Sequence, residues 1–225
     1  MGLFEAAVVI YLREIMYPGG FEFPLAPVHP HLALTEILRE ASTMVMLICI
    51  GLIAARKFSQ RFAWFIYSFA IWDILYYVFL WLLIGWPESL MTWDVLFLIP
   101  ATWTGPVITP LVLTMVMILF AVWILLQGEK NINTRIMPLE WTGLSVGSLV
   151  VIIAFVTDYM KHMLNRFSFG ELLQFSNPEL LTHASDYVPE RFPWLIFIVG
   201  VTMILLIVVR YKIRTNRMLR ASIFT

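Results

Sequence analysis

The chain has 225 residues, 60% of them hydrophobic and 13% charged, with a mean hydropathy of +0.84. A soluble domain carries about 45–50% apolar and about 25% charged residues, so this composition supplies roughly half the charge that a water-facing surface needs. Fifteen basic residues against fifteen acidic ones leave no cationic surface for nucleic acid, and a lone cysteine, Cys49, excludes a disulfide scaffold or a cysteine-ligated zinc site. The expected fold is an all-α polytopic membrane helix bundle in one integral membrane domain, with the lipid bilayer as its first partner.

Residues 1–17 hold a short apolar run, 6–12, closely flanked by Glu5, Arg13 and Glu14. The run is too short to span, and it lacks the basic start and small-residue cleavage site of a secretory signal. It predicts an amphipathic helix on the membrane surface. Five later segments reach the roughly 20 apolar residues needed to cross about 30 Å of hydrocarbon. They are 35–55, 62–86, 99–126, 138–159 and 194–209. The stretch 87–98, with Glu88 and Asp94, reads as a short interfacial connection.

Lys and Arg gather on the cytoplasmic side of membrane proteins. With the loop after the first span inside, the inner side collects Arg56, Lys57, Arg61, Lys130, Arg135, Arg210, Lys212, Arg214, Arg217 and Arg220. The outer side keeps Arg13, Arg39, Lys161, Arg166 and Arg191. This bias predicts an outer N-terminus and an inner C-terminus. Residues 1–34 and the loop 160–193 then face out, with short surface helices, and 210–225 forms a basic inner tail. An odd number of spans does not divide into the equal inverted halves common among secondary transporters.

Asp73 is the one ionisable residue near mid-membrane, about 16 Å along the second span at about 1.5 Å per residue. A carboxylate there is costly unless paired, protonated or hydrated, and it marks a candidate functional site. Tyr76 and Tyr77, at i+3 and i+4, are placed to donate hydrogen bonds to it. The structural alternative is a protonated Asp73 bonded to a hydroxyl such as Ser145 or Ser148.

A denser group lies at the start of the first span, where His29-Pro30-His31 precedes Glu36, Arg39 and Glu40. Pro30 suits a first helical position. Glu36 and Glu40 share one face, where they need a cation or Arg39 between them. Asp158 and His162 are also four apart, and His183 follows in the outer loop. Some of His29, His31, His162, His183, Asp158, Glu36 and Glu40 have the ligand types for a copper, zinc or haem site at the outer face. The alternative is an ion network, built on Glu36, Arg39 and Glu40, that pins helix ends. Pro100, Pro106 and Pro110 with Gly105 predict a kinked or partly unwound start to the third span. Gly143 and Gly147 form a G-x-x-x-G, a close-packing signal, and Glu140 sits near Arg135.

The stretch 72–100, with W-D-I-L-Y-Y and G-W-P-E-S-L-M-T-W-D-V-L-F-L-I-P, and the opening P-V-H-P-H-L-A-L-T-E-I-L-R-E-A-S-T at 27–43, resemble a family of polytopic bacterial inner-membrane proteins to which no activity is assigned. The resemblance implies a bacterial inner membrane and no particular chemistry. Separately, Asp158-x-x-x-His162 with a later His183 is similar in type to the copper-ligand pattern of the C subunit of membrane copper monooxygenases. Three expectations follow. The first is an auxiliary or structural subunit of a larger inner-membrane complex, respiratory complexes being the kind in view, with other membrane subunits as partners. The second is a metal-dependent oxidoreductase at the outer face. The third is a proton or small-solute pathway through Asp73.

Overall fold

The structure is a computed structural model that describes every residue except 18, 28, 100, 131–134, 174–177 and 224–225. Its elements, in chain order, are α1 (Gly2–Met16), α2 (Pro30–Ala54), α3 (Phe58–Ile84), β1 (Trp93–Phe97), β2 (Trp103–Pro106), α4 (Ile108–Glu129), α5 (Pro138–Leu164), a 3-10 turn (Glu171–Leu173), α6 (Pro178–Ser185) and α7 (Trp194–Ile223). Five of them, α2, α3, α4, α5 and α7, are long and apolar enough to cross a membrane. This is the architecture of a multi-pass membrane protein whose apolar helix faces meet lipid.

Three expectations need correction. The fold is not purely helical, because β1 and β2 form a two-stranded antiparallel sheet. The third membrane helix starts at Ile108, not at 99, because the segment before it is the second strand of that hairpin. Trp, Val, Phe and Thr suit an extended backbone, and Pro106 has no N–H to donate into a helix. Pro110 falls in the first turn of α4, where a missing donor costs nothing; Pro100 lies outside the described residues. The fifth helix runs on to Ile223, through the residues expected to form a basic tail, because charges end an apolar stretch without ending a ladder of backbone hydrogen bonds. Glu140, expected near Arg135, also pairs with Arg214, whose Nη2 donates to it at 2.9 Å and to the Arg135 backbone carbonyl at 2.8 Å.

The residues group into two compact units. One comprises Met1–Thr43, Leu75–Ile108 and Ile153–Pro193; the other comprises Met44–Ile74, Thr109–Ile152 and Trp194–Thr225. In the second unit, Phe120, Ala121 and Ile124 of α4 pack with Ala63 and Ile66 of α3, Leu144 of α5 and Tyr211 of α7. Trp123 donates its indole N–H to Thr215 at 3.0 Å. The G-x-x-x-G partner is internal. A Cβ at Gly147 would lie 3.2 Å from the Gly200 carbonyl, and one at Gly200 would lie 2.9 Å from the Val151 nitrogen and 3.0 Å from the Gly147 carbonyl. Backbone, which cannot step aside, fills the space that a side chain would need, so α5 and α7 touch along their small residues.

Gly200→Leu is therefore expected to cost at least the about 1–3 kcal/mol typical of overpacking and to lower the melting temperature in detergent. At Gly143 the nearest atoms to a Cβ belong to the Ile207 side chain and not to backbone, and a side chain shifts more readily, so Gly143→Leu is expected to lower it less. Equal melting temperatures for the two variants would show that the α5–α7 approach is not tight.

Candidate functional site

The first unit gathers most of the residues singled out in the sequence, and its centre is one that was not. α3 ends on Gly85, whose φ of 69° is the left-handed conformation that glycine adopts without strain, and whose N–H donates to the Trp81 carbonyl at 3.0 Å. The chain turns there and delivers Trp86 against Arg13. The Arg13 guanidinium lies 3.7 Å from the Trp86 ring centroid and 4.4 Å from that of Phe21. Such contacts are worth about 0.5–2 kcal/mol, more when water is excluded. Arg13 is only 9% exposed. Its Nη2 donates to Asp94 Oδ1 at 3.3 Å, and Nη1 is buried with no hydrogen-bond partner.

Asp94, on β1, is 2% exposed. Tyr77 donates to its Oδ2 at 3.2 Å, and the Tyr76 hydroxyl also hydrogen-bonds it. Burial pushes the Asp94 carboxyl up to about 6, and Arg13, both tyrosines and the Val95 backbone N–H hold it from rising further. Desolvation thus outweighs a neighbouring cation, as expected where the ion pair has few other donors.

The group around Arg39 adjoins this centre. Arg39 Nε donates to Glu36 at 2.9 Å, and Nη1 bonds Glu5 of α1. Glu40 turns instead to the backbone N–H of Leu98, which donates to its two oxygens at 3.2 and 2.9 Å. Arg39 also feels the charge of Glu40 and the Tyr76 hydroxyl. Tyr76 therefore links two groups expected to be separate, and the result is one cluster of four carboxylates and two guanidiniums. Tyr77, expected to serve Asp73, donates to Asp94. Sequence reasoning passed over Glu5, Arg13 and Asp94 as boundary charges. The signal available was Arg13 itself, a cation at the edge of a short apolar run with no acid on its own helix turned towards it.

Of the expected metal ligands the fold brings His162 and His183 together, but as a stacked pair and not as part of a larger ligand set. His29 and His31 are exposed at the start of α2. Asp158 Oδ2 accepts from the Tyr187 hydroxyl at 2.8 Å and from the Glu190 N–H at 3.1 Å, while Oδ1 accepts from the Arg191 N–H at 3.3 Å. Tyr187 in turn meets Thr104 of β2 at 2.9 Å, and burial raises its phenol well above the ordinary value. His162 and His183 stack with centroids 4.2 Å apart and planes 10° apart. Each ring's Nε2 donates to the other's backbone carbonyl, at 2.9 and 3.0 Å. Both carbonyls belong to the last turns of their helices, that of His183 also accepting from the Asp186 N–H at 3.2 Å, so the pair ties the ends of α5 and α6 together. Among the described residues no group of three or more His, Cys, Asp or Glu side chains is placed to hold a metal ion. Helical spacing put Asp158 and His162 on one face, but each had a nearer structural partner.

Asp73 belongs to the second unit, with its Oδ2 buried. No family model, no curated protein and no solved structure matches the chain.

The Asp94 geometry carries a signed expectation. A carboxyl raised from 3.8 to about 6 by folding contributes stability that is present below pH about 4 and lost as pH rises through about 6. Infrared titration of the Asp94 carboxyl should show a midpoint near 6, and Arg13→Gln should move it upward by removing the cation. A midpoint near 4 in both proteins would refute the burial of this site.

Proposed function

We propose that the chain is an auxiliary, non-catalytic subunit of a larger bacterial inner-membrane complex, of the respiratory kind, with its N-terminus outside and its C-terminus inside. The observation that carries this reading is how the polar groups of the first unit are used. Asp158 is held by three protein donors, His162 and His183 tie two helix ends together, Glu40 serves Leu98, and Arg13 and Arg39 are paired with carboxylates. Side chains with the right chemistry for catalysis are spent on holding the fold. The spans meanwhile leave large apolar side chains uncovered, among them Ile53, Leu119 and Leu206, enough for both lipid and neighbouring subunits. The excess of Lys and Arg on the loops assigned to the inside supports the orientation.

Native mass spectrometry of the chain, released gently from its own membrane, tests the subunit reading. A defined assembly with other membrane proteins at fixed stoichiometry is expected. A mass of one chain plus lipid alone would overturn it.

The buried Oδ2 of Asp73, in a membrane-spanning helix, favours a second reading, a proton or small-solute pathway. On that reading Asp73→Asn abolishes proton flux in liposomes while the melting temperature is kept. Flux equal to that of empty liposomes in the unaltered protein would remove it.

A further inference from the structure

The polarity of α1 is inverted for a helix at a water boundary. Gly2, Ala6 and Arg13 are its buried residues, and Glu5 is 12% exposed in its pairing with Arg39. Turned outward are Phe4 at 77% exposure, Tyr11 at 67% and Ile15 at 75%, at spacings i, i+7 and i+11 that form one stripe, with Leu3 beside it. Glu14, in the last turn, is the one exposed charged residue of the helix. A helix lying on a membrane surface keeps its charges in water and its apolar face on the protein or lipid. Here the charges are turned inward to Asp94 and Arg39, and the apolar face points away from the protein.

We propose that α1 is immersed in the acyl chains of one leaflet, its stripe of Phe4, Tyr11 and Ile15 facing lipid and its charges held by the Arg13–Asp94 and Glu5–Arg39 pairs. Its 15 residues make about 22 Å of helix, too short for about 30 Å of hydrocarbon, so it enters the bilayer without crossing it. Two observations favour lipid over other occupants. The Glu5–Arg39 pair ties α1 to α2, a helix long and apolar enough to span the membrane, whose Leu34 and Leu38 in the turns before Arg39 are themselves exposed. Charged side chains inside a bilayer turn towards protein and pair there, as Glu5 and Arg13 do.

The test places a nitroxide at position 4, 11 or 15 by Phe4→Cys, Tyr11→Cys or Ile15→Cys, in the full chain with Cys49→Ser, reconstituted into phosphatidylcholine and phosphatidylglycerol bilayers. Relaxation by dissolved oxygen is compared with relaxation by a water-soluble nickel chelate, with Leu206→Cys on α7 as the reference. All three positions are expected to give the oxygen-to-nickel ratio of the reference. Access to nickel at these positions would place the stripe in water, and protection from both reagents would place it against a partner or a second copy; either result overturns the proposal. Fluorophenylalanine at Phe4, a nearly isosteric change, reads the same contrast by fluorine NMR if a cysteine variant does not fold.

Discussion

The first unit depends on one awkward charge. Arg13 is almost wholly out of water, and a buried cation costs several kcal/mol unless its surroundings repay it. Asp94 supplies a counter-charge, Trp86 and Phe21 supply ring faces, and Tyr77 holds the carboxylate in position. Arg13 is on α1, and these partners come from the loop after α1, from α3 and its end, and from the hairpin. Placing this one guanidinium therefore fixes four chain segments at once, which apolar packing, being non-directional, would leave free to slide.

The same economy runs through the unit. Of the few charged and ionisable residues, several are used where backbone groups or other charges would otherwise be stranded in an apolar setting. Glu40 satisfies the Leu98 N–H just past the β1 strand, Asp158 gathers two N–H groups from the segment before α7, and two histidines tie together the ends of α5 and α6. A chemical site needs groups left available to a substrate, and these are committed. This is why ligand types suited to a metal are present in number and yet not assembled as a ligand set.

The spans were legible because lipid demands long apolar helices and tolerates little else, and four of the five starts fall within a few residues of the reading from sequence. Gly143 and Gly147 were legible as a packing signal, but not their partner, since any small-residue face on any helix would have satisfied the pattern. The hairpin was not legible. Short runs rich in Trp, Phe and Val suit a strand and a buried helix alike, and only the pairing of Asp94 with Gly105 and of Val95 with Thr104 decides between them.

What the sequence determined by itself is the class of molecule, the number of membrane helices and the scarcity of charge, because each follows from transfer of side chains between water and hydrocarbon, summed residue by residue. Which charges meet was decided only in three dimensions. Arg13 finds Asp94 and Glu140 finds Arg214, each across a long stretch of chain. Electrostatic partners are set by distance and burial, and both are properties of the folded chain.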